Sequence, residues 1–305
     1  MIYTVTLNPA IDYLIKLDSL NLGSVNRVED EKVYAGGKGI NVSNMLQQLD
    51  CQSTALGFVS GFTGDFIIKS LEEKGIENKF IKLKNGFTRI NVKIKGNEET
   101  EINGQGPLIN ENELNELYKI IDELNSEDIL VLAGSIPSTL SDKLYENIME
   151  RIKNKEIKVV VDATKSLLLN VLKYKPFLIK PNNHELEEIF NVKLSSNKDI
   201  IKYANKLKEM GARNVLVSMG KEGALLVTEN GDIYTSNVAK GEVKNSVGAG
   251  DSMVAGFLSG YVMTNKFDEA LKQGAACGGA TAFSYDIATR EFIDEVKKQI
   301  IVEKI

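Results

Sequence analysis

Asn245-Ser246-Val247-Gly248-Ala249-Gly250-Asp251 joins a polar loop to a strong helical pattern. Met253, Val254, Phe257, Leu258, Tyr261 and Val262 follow at helical spacing and give one apolar face. Gly248-Ala249-Gly250 therefore stands at a helix start, where the first N–H groups lack partners and the dipole adds partial positive charge. Glycines let a charged oxygen approach that backbone closely. Asp251 falls in the first turn of the same helix. A carboxylate beside an anion cradle is what phosphoryl transfer to an alcohol requires, because one accepts the hydroxyl proton and the other stabilises the moving charge. On the residues alone, a Gly turn before a core helix accounts for the string equally well, with Asp251 favouring the dipole.

Outward from that stretch, strand and helix patterns alternate from about residue 43 to the C-terminus. Apolar strands are expected at Thr54–Val59, Ile129–Ala133, Lys158–Val161, Phe177–Ile179, Asn214–Ser218 and Ala224–Thr228. Helical patterns fill most gaps, notably Asn112–Leu124, Ser141–Ile152, Leu186–Phe190 and Ile200–Met210. The fold class is α/β, a mostly parallel sheet covered by helices on both faces. Ligands of such sheets bind outside the carboxyl ends of the strands. Asp12–Leu17, Val28–Tyr34 and Arg89–Lys95 read instead as half-polar strands, either a small lid or an edge hairpin.

The 305 residues suffice for one large domain or two smaller ones, with 43% hydrophobic and 26% charged residues. A net charge of −5 with dispersed Lys and Arg gives no footprint for nucleic acid. Apolar runs are of strand length, so no membrane span is expected, and the N-terminus reads as a strand rather than a signal peptide. Cys51 and Cys277 are too few for a disulfide framework or a zinc site, and a cytoplasmic protein follows. His184 is the single histidine, which excludes chemistry needing several.

The second glycine cluster, Gly36-Gly37-Lys38-Gly39-Ile40-Asn41, also precedes a helical pattern. It lacks the Gly-x-x-x-x-Gly-Lys-Ser/Thr of a P-loop. Its backbone permits close approach of a polyhydroxy ligand, which Lys38 and Asn41 can hydrogen-bond; a plain loop–helix junction is the alternative. Arg27 and Arg89 are isolated cations flanking the half-polar strands, each either a phosphate fork or a solvated residue. Ser135 follows a strand end. Asn182 and Glu185 have the spacing of a capping box and also suit a hydrated Mg²⁺. Asp162 ends a strand and adds an acidic group near that position. Ser218-Met219-Gly220-Lys221-Glu222-Gly223 is a tight turn between strands. Cys277-Gly278-Gly279-Ala280 is a small-residue run that either admits an adenine or allows close helix packing.

Together, Thr6-Leu7-Asn8-Pro9-Ala10-Ile11-Asp12, Ala35–Val42, Thr88–Lys93, Glu101-Ile102-Asn103-Gly104 and Asn245–Asp251 resemble the PfkB (ribokinase-like) sugar kinases over nearly the whole chain. The resemblance implies one kinase domain over 1–305, with lid strands inserted at about 12–17, 28–34 and 89–103. It implies Asp251 as base and Gly248, Ala249 and Gly250 as anion hole. Asp12, Gly36, Gly37, Lys38 and Asn41 would contact sugar, and Arg27, Arg89 and Ser135 a phosphate that it carries. Lys180, Asn182, Ser218, Gly220, Gly223, Gly250 and Gly279 would line ATP, with Asn182 and Glu185 organising Mg²⁺ through water. Within the family these runs look most like kinases of ketohexose phosphates, moving the ATP γ-phosphoryl to O6 of fructose 1-phosphate, with tagatose 6-phosphate the neighbouring substrate. Family lids often pair between subunits, which implies a homodimer. Many members carry Asp-Thr where this chain has Asn245-Ser246; that Asp helps to build a monovalent-cation site, so the lost charge implies weak K⁺ activation. A dinucleotide-dependent oxidoreductase would place Gly-x-Gly-x-x-Gly after the first strand, which here runs into Asn8-Pro9. A non-catalytic sugar-phosphate sensor would have no need of Asp251.

Overall fold

Along Ile129-Leu130-Val131-Leu132, alternate side chains go to opposite faces of a sheet, and both sets are buried. Leu130 and Leu132 join one hydrophobic core, Ile129 and Val131 another. A strand that is apolar on both faces needs helices on both, and the computed structural model, which describes residues 1–96 and 99–305, has that architecture. The strands are β1 (Ile2–Thr6), β2 (Ala10–Lys16), β3 (Asp30–Gly36), β4 (Ser53–Ser60), β5 (Glu77–Leu83), β6 (Arg89–Lys95), β7 (Thr100–Asn103), β8 (Ile129–Ala133), β9 (Lys158–Asp162), β10 (Leu178–Ile179), β11 (Asn214–Ser218), β12 (Ala224–Val227), β13 (Ile233–Ser236) and β14 (Val302–Lys304). The helices are α1 (Lys38–Gln48), α2 (Gly61–Glu73), α3 (Glu111–Asp122), α4 (Leu144–Ile152), α5 (Lys165–Val171), α6 (Asn183–Phe190), α7 (Asn197–Glu209), α8 (Ala249–Thr264), α9 (Phe267–Ala282) and α10 (Arg290–Lys297).

The main sheet has the order β14-β13-β12-β11-β10-β9-β8-β1-β4-β5. It is parallel from β11 to β5, and β12, β13 and β14 extend it antiparallel. Helices α3 to α7 cover one face through residues such as Leu117, Ile148, Leu168, Leu186 and Leu207. Helices α1, α8, α9 and α10 cover the other through Met45, Phe257, Leu271 and Ile293. Helix α8 is buried nearly all round because α9 lies close against it. A Cβ on Gly256 would stand 2.7 Å from the Gln273 carbonyl oxygen, so a larger residue there would push the two helices apart.

The half-polar strands form a separate sheet of order β3-β2-β6-β7. Its outer pairings are antiparallel and its central β2–β6 pairing is parallel. The strands expected over 12–17 and 28–34 run two residues earlier and later at their starts. Residues 97 and 98, within the expected lid segment 89–103, lie outside the described residues. Register divides the sheet into two faces. Tyr34, Asp12, Asn91 and Asn103 align across the strands, as do Lys32, Leu14, Lys93 and Glu101. The alternate row is Val33, Tyr13, Val92 and Ile102, so one face is polar and the other apolar.

Candidate active site

The carboxyl ends of five parallel strands meet in one place. Thr6 closes β1, Ala133 β8, Asp162 β9 and Ser218 β11, and Lys180 and Asn182 follow β10; all line a cavity of about 550 Å³. The start of α8 forms a further wall with Gly248, Gly250 and Asp251. The polar face of the small sheet closes the cavity through Asp12, Arg89, Asn91, Lys93, Glu101 and Asn103, which makes that sheet a lid.

Gly248 caps α8 at φ +79°, a left-handed conformation that glycine adopts without strain, and no side chain caps this end. The Ala249 N–H bonds weakly to the Ser246 carbonyl at 3.3 Å. A Cβ on Gly250 would lie 3.3 Å from Lys180 Nζ and fill the space between helix start and ammonium. That space has helix amides on one side and a cation on the other, a setting that suits an anion. Asp251, in the first turn, is 5% exposed. Its Oδ2 accepts a 2.8 Å hydrogen bond from the Asn41 amide. Burial, and then the Asp162 carboxylate, push its pKa up to about 6, against the pull of Lys38, Asn41 and Lys180. A carboxylate tuned toward neutral pH suits a general base.

Asp162 was expected as an extra acid near a metal. It lies between two ammonium groups, Lys38 Nζ at 3.1 Å from Oδ2 and Lys180 Nζ at 3.3 Å from Oδ1, and lines the same cavity as Asn182 and Glu185. Burial alone would raise its pKa, but Lys180 and Lys38 overcome that and hold it below the usual carboxylate range. Burial also opposes the Lys38 charge; Asp162, and then Asp251, outweigh it and raise the Lys38 pKa. Lys38 thus stays charged where it lines the cavity. Tyr145 hydroxyl donates to the Gly134 carbonyl at 3.0 Å and fixes the turn that presents Ser135 to the cavity.

On the lid, Arg89 Nε donates to the Asn8 carbonyl at 3.2 Å and Nη1 to the Gly104 carbonyl at 3.3 Å. Two carbonyls therefore orient the guanidinium. Burial lowers its pKa, with Asp12 partly opposing. Asp12 accepts from Asn91 Nδ2 at 3.0 Å and pairs with Lys93 Nζ at 3.2 Å. A Cβ on Gly36 would stand 2.6 Å from Asp12 Oδ2, so the glycine makes room for that carboxylate. Gly37, Lys38 and Asn41 line the cavity beneath. Arg27 does not: it is exposed in the loop between β2 and β3, away from the cavity of its own chain.

Asn182 and Glu185 form a full capping box on α6, with the Asn182 N–H donating to Glu185 Oε2 and the Glu185 N–H to Asn182 Oδ1, both at 2.8 Å. Both residues also line the cavity. Among the described residues no three acidic, His or Cys side chains gather as a metal cage. Such a site suits Mg²⁺ that keeps most of its water. Gly220 and Gly223 sit in the β11–β12 turn with positive φ, and only Ser218 of that run lines the cavity. A Cβ on Gly278 would stand 3.1 Å from the Ala249 carbonyl oxygen, and Gly279 faces Val296 and Ala239; neither lines the cavity. His184 is exposed and pairs with Glu187 at 3.5 Å. Sequence reasoning missed Thr6, Asn8, Asn91, Lys93 and Thr164 as cavity residues. Asn91 and Lys93 had a signal, since they alternate with the apolar Ile90, Val92 and Ile94.

Known proteins share this arrangement. The chain is 46% identical to the 1-phosphofructokinase of Bacillus subtilis, all of each chain being covered. It is 37% identical to the D-tagatose-1-phosphate kinase of Bacillus licheniformis over 98% of both. The crystal structure of phosphofructokinase-2 from Escherichia coli in complex with substrates and products superposes with a TM-score of 0.90 at 26% identity, covering 97% of this chain and 98% of that one. A sequence profile of the pfkB family carbohydrate kinases matches residues 5–290, and the chain belongs to that family.

Proposed function

We propose that the protein transfers the γ-phosphoryl group of ATP to O6 of fructose 1-phosphate, giving fructose 1,6-bisphosphate and ADP. One observation carries this reading: a buried carboxylate, Asp251, stands in the first turn of α8 beside an uncapped helix start and the Lys180 ammonium, facing a lid that bears cations. The substrate O6–H lies against Asp251, whose Oδ1 takes the proton as oxygen attacks phosphorus. The bond from phosphorus to the bridging oxygen breaks, and ADP leaves. The Gly250 and Asp251 amides and Lys180 stabilise the charge that develops. Lys180, Asn182 and Ser218 would line the nucleotide phosphates, and Asn182 and Glu185 would hold Mg²⁺ through water. When bound, Mg²⁺ neutralises phosphate charge.

Arg89, oriented by two carbonyls, is the fork for the phosphate at C1, with Ser135 as a hydroxyl donor. The B. subtilis relative is named for fructose 1-phosphate and the B. licheniformis relative for tagatose 1-phosphate. The latter name moves the second substrate from tagatose 6-phosphate to the 1-phosphate. The apolar outer row of the lid, with Val33 46% and Ile102 59% exposed, supports a homodimer formed through this sheet. Among the described residues no helix is long and apolar enough to cross a membrane, and the proposed chemistry belongs in the cytoplasm, where ATP and sugar phosphates meet. ADP release measured with fructose 1-phosphate, both tagatose phosphates and free fructose tests the reading. Preference for fructose 1-phosphate by 10²-fold or more over free fructose is expected from about two charge-assisted hydrogen bonds. Equal use of free fructose would overturn it.

A further inference from the structure

Three chain crossings between the main sheet and the lid meet at Arg89. Its backbone opens β6, directly after Thr88 in the crossing from β5. Thr88 is fastened to the end of β4 and the start of α2. Its N–H donates to the Ser60 carbonyl at 2.8 Å, its hydroxyl accepts from the Ser60 N–H at 2.9 Å, and its carbonyl accepts from the Thr63 hydroxyl at 2.8 Å. From that fixed base the guanidinium donates to the Asn8 carbonyl, in the crossing from β1 to β2, and to the Gly104 carbonyl, in the crossing from β7 to α3. Two of the five guanidinium donors are used in this way, and three remain where Arg89 lines the cavity. Among the described residues no carboxylate pairs with it, and Asp12, whose charge reaches it, is bound to Lys93.

A half-buried guanidinium without a counter-charge is costly while the lid is down, and lifting the lid to admit water relieves the cost. An oxyanion on the remaining donors removes the cost with the lid in place. It therefore binds the closed arrangement better than an open one and shifts the population toward it. Resting on the proposed reaction, in which Arg89 takes the phosphate at C1, we infer that this phosphate is an activator as well as an anchor: at Arg89 it ties the lid crossings down over Asp251, so a separate oxyanion on the same donors activates phosphoryl transfer to a sugar that carries none. Binding energy from a group that takes no part in the bond changes is thereby used at the reacting centre. The sugar that isolates this effect is D-arabinose, whose furanose form is the fructofuranose ring without C1. Its O5 attacks the γ-phosphorus, Asp251 takes the proton, the bond to the bridging oxygen breaks and ADP leaves. The oxyanion is released unchanged.

Phosphite is the probe, with chloride at equal ionic strength as the control. Formation of arabinose 5-phosphate from D-arabinose and ATP with Mg²⁺ is followed at rising phosphite for wild type and Arg89→Ala. Phosphite should raise kcat/KM for arabinose by about 10-fold or more in wild type, with saturation, and should not raise it in Arg89→Ala. Amide hydrogen exchange gives a second reading that needs no turnover: phosphite should slow exchange at residues 7–8 and 104–106 in wild type and not in the variant. Should Arg89→Ala not fold, Arg89→Lys, which keeps the charge and loses the fork, takes its place. Where arabinose turnover is below detection throughout, exchange alone decides. Turnover and exchange both indifferent to phosphite would show that the phosphate only anchors the sugar and would overturn the inference, as would activation that persists in the variant. A wild type that does not turn over fructose 1-phosphate would instead refute the proposed reaction, a different outcome from indifference to phosphite.

Discussion

Replacing Asp251 with Asn should slow turnover and stabilise the protein at once. The carboxylate is buried, and its pKa is pushed from 3.8 to about 6, mainly by burial and then by Asp162. A raised carboxylate pKa means that the folded state binds more protons than the unfolded state between about pH 4 and 6. Stability from this group is therefore present at low pH and lost as pH rises through the folded value. About two pK units correspond to about 3 kcal/mol of cost for the ionised group above pH 7. At pH 5 the cost is about half as large. Asn keeps the shape and does not ionise, so Asp251→Asn should exceed wild type by about 3 kcal/mol at pH 8, roughly 5 °C in Tm for a chain of this size. Loss of a general base should lower kcat by about 10²–10⁴-fold with little change in KM for the sugar phosphate. Thermal melts of both apo proteins at pH 5, 6, 7 and 8, beside kinetics at pH 7.5, measure the two effects. A variant no more stable than wild type at pH 8, or a gap independent of pH, would refute the electrostatic argument. Retained kcat would show that Asp251 is not the base.

The pH dependence of kcat/KM for wild type should show an acid limb near pH 6, activity falling as Asp251 is protonated below it; a rate flat down to pH 5 would contradict this. Arg89→Ala should cut kcat/KM for fructose 1-phosphate by about 10-fold or more and affect free fructose much less, since the proposed ligand of the guanidinium is the phosphate; parallel assays decide it. Exchanging Na⁺ for K⁺ should alter kcat by less than about 2-fold, because the Asn245 amide already donates to the Tyr285 carbonyl at 3.2 Å, whereas Asn245→Asp should gain a K⁺ response. Light scattering at micromolar protein should give a dimer, and Val92→Lys together with Ile102→Lys should give a monomer by placing charge on the lid's apolar row. A wild-type monomer would remove the basis of that proposal.

The main sheet was legible because its strands are continuous apolar runs, and Ile129–Ala133 and Asn214–Ser218 match to the residue. Helix α6 begins three residues before the apolar pattern because Asn182 and Glu185 cap it there. Strand β10 is shorter than its apolar run, with Phe177 buried in the core outside the ladder. The uncapped start of α8 at Gly248 was legible because glycine leaves a compositional mark wherever a backbone needs a left-handed conformation or a close approach. Asp162 was not, because its role depends on lysines that the fold delivers from 124 residues earlier and 18 residues later, and no local pattern encodes such a pairing. Arg27 shows the converse: a lone cation near a lid strand has no positional signal, and the fold leaves it in solvent. Asn91 and Lys93 lay within reach of period-two reasoning, but the polar face of a strand cannot be assigned to a cavity until its neighbours and register are known.

The charges around the cradle bear on why the proposed reaction would use a metal beside two lysines. Lys38 and Lys180 bring two positive charges, and Asp162 and ionised Asp251 bring two negative ones, so this cluster is nearly neutral before any phosphate arrives. Asp162, almost fully buried, pairs with both ammonium groups, and its charge helps to raise the Lys38 pKa against burial. The same carboxylate is the second cause of the raised Asp251 pKa. In the proposed reaction it therefore links two tasks, holding cations for the phosphoryl group and raising the proton affinity of the base. The cluster supplies directed donors without surplus positive charge, and a polyphosphate must bring its own counter-ion. The proposed divalent cation, held through water by Asn182 and Glu185, would meet that need without a preformed acidic cage, of which there is none among the described residues.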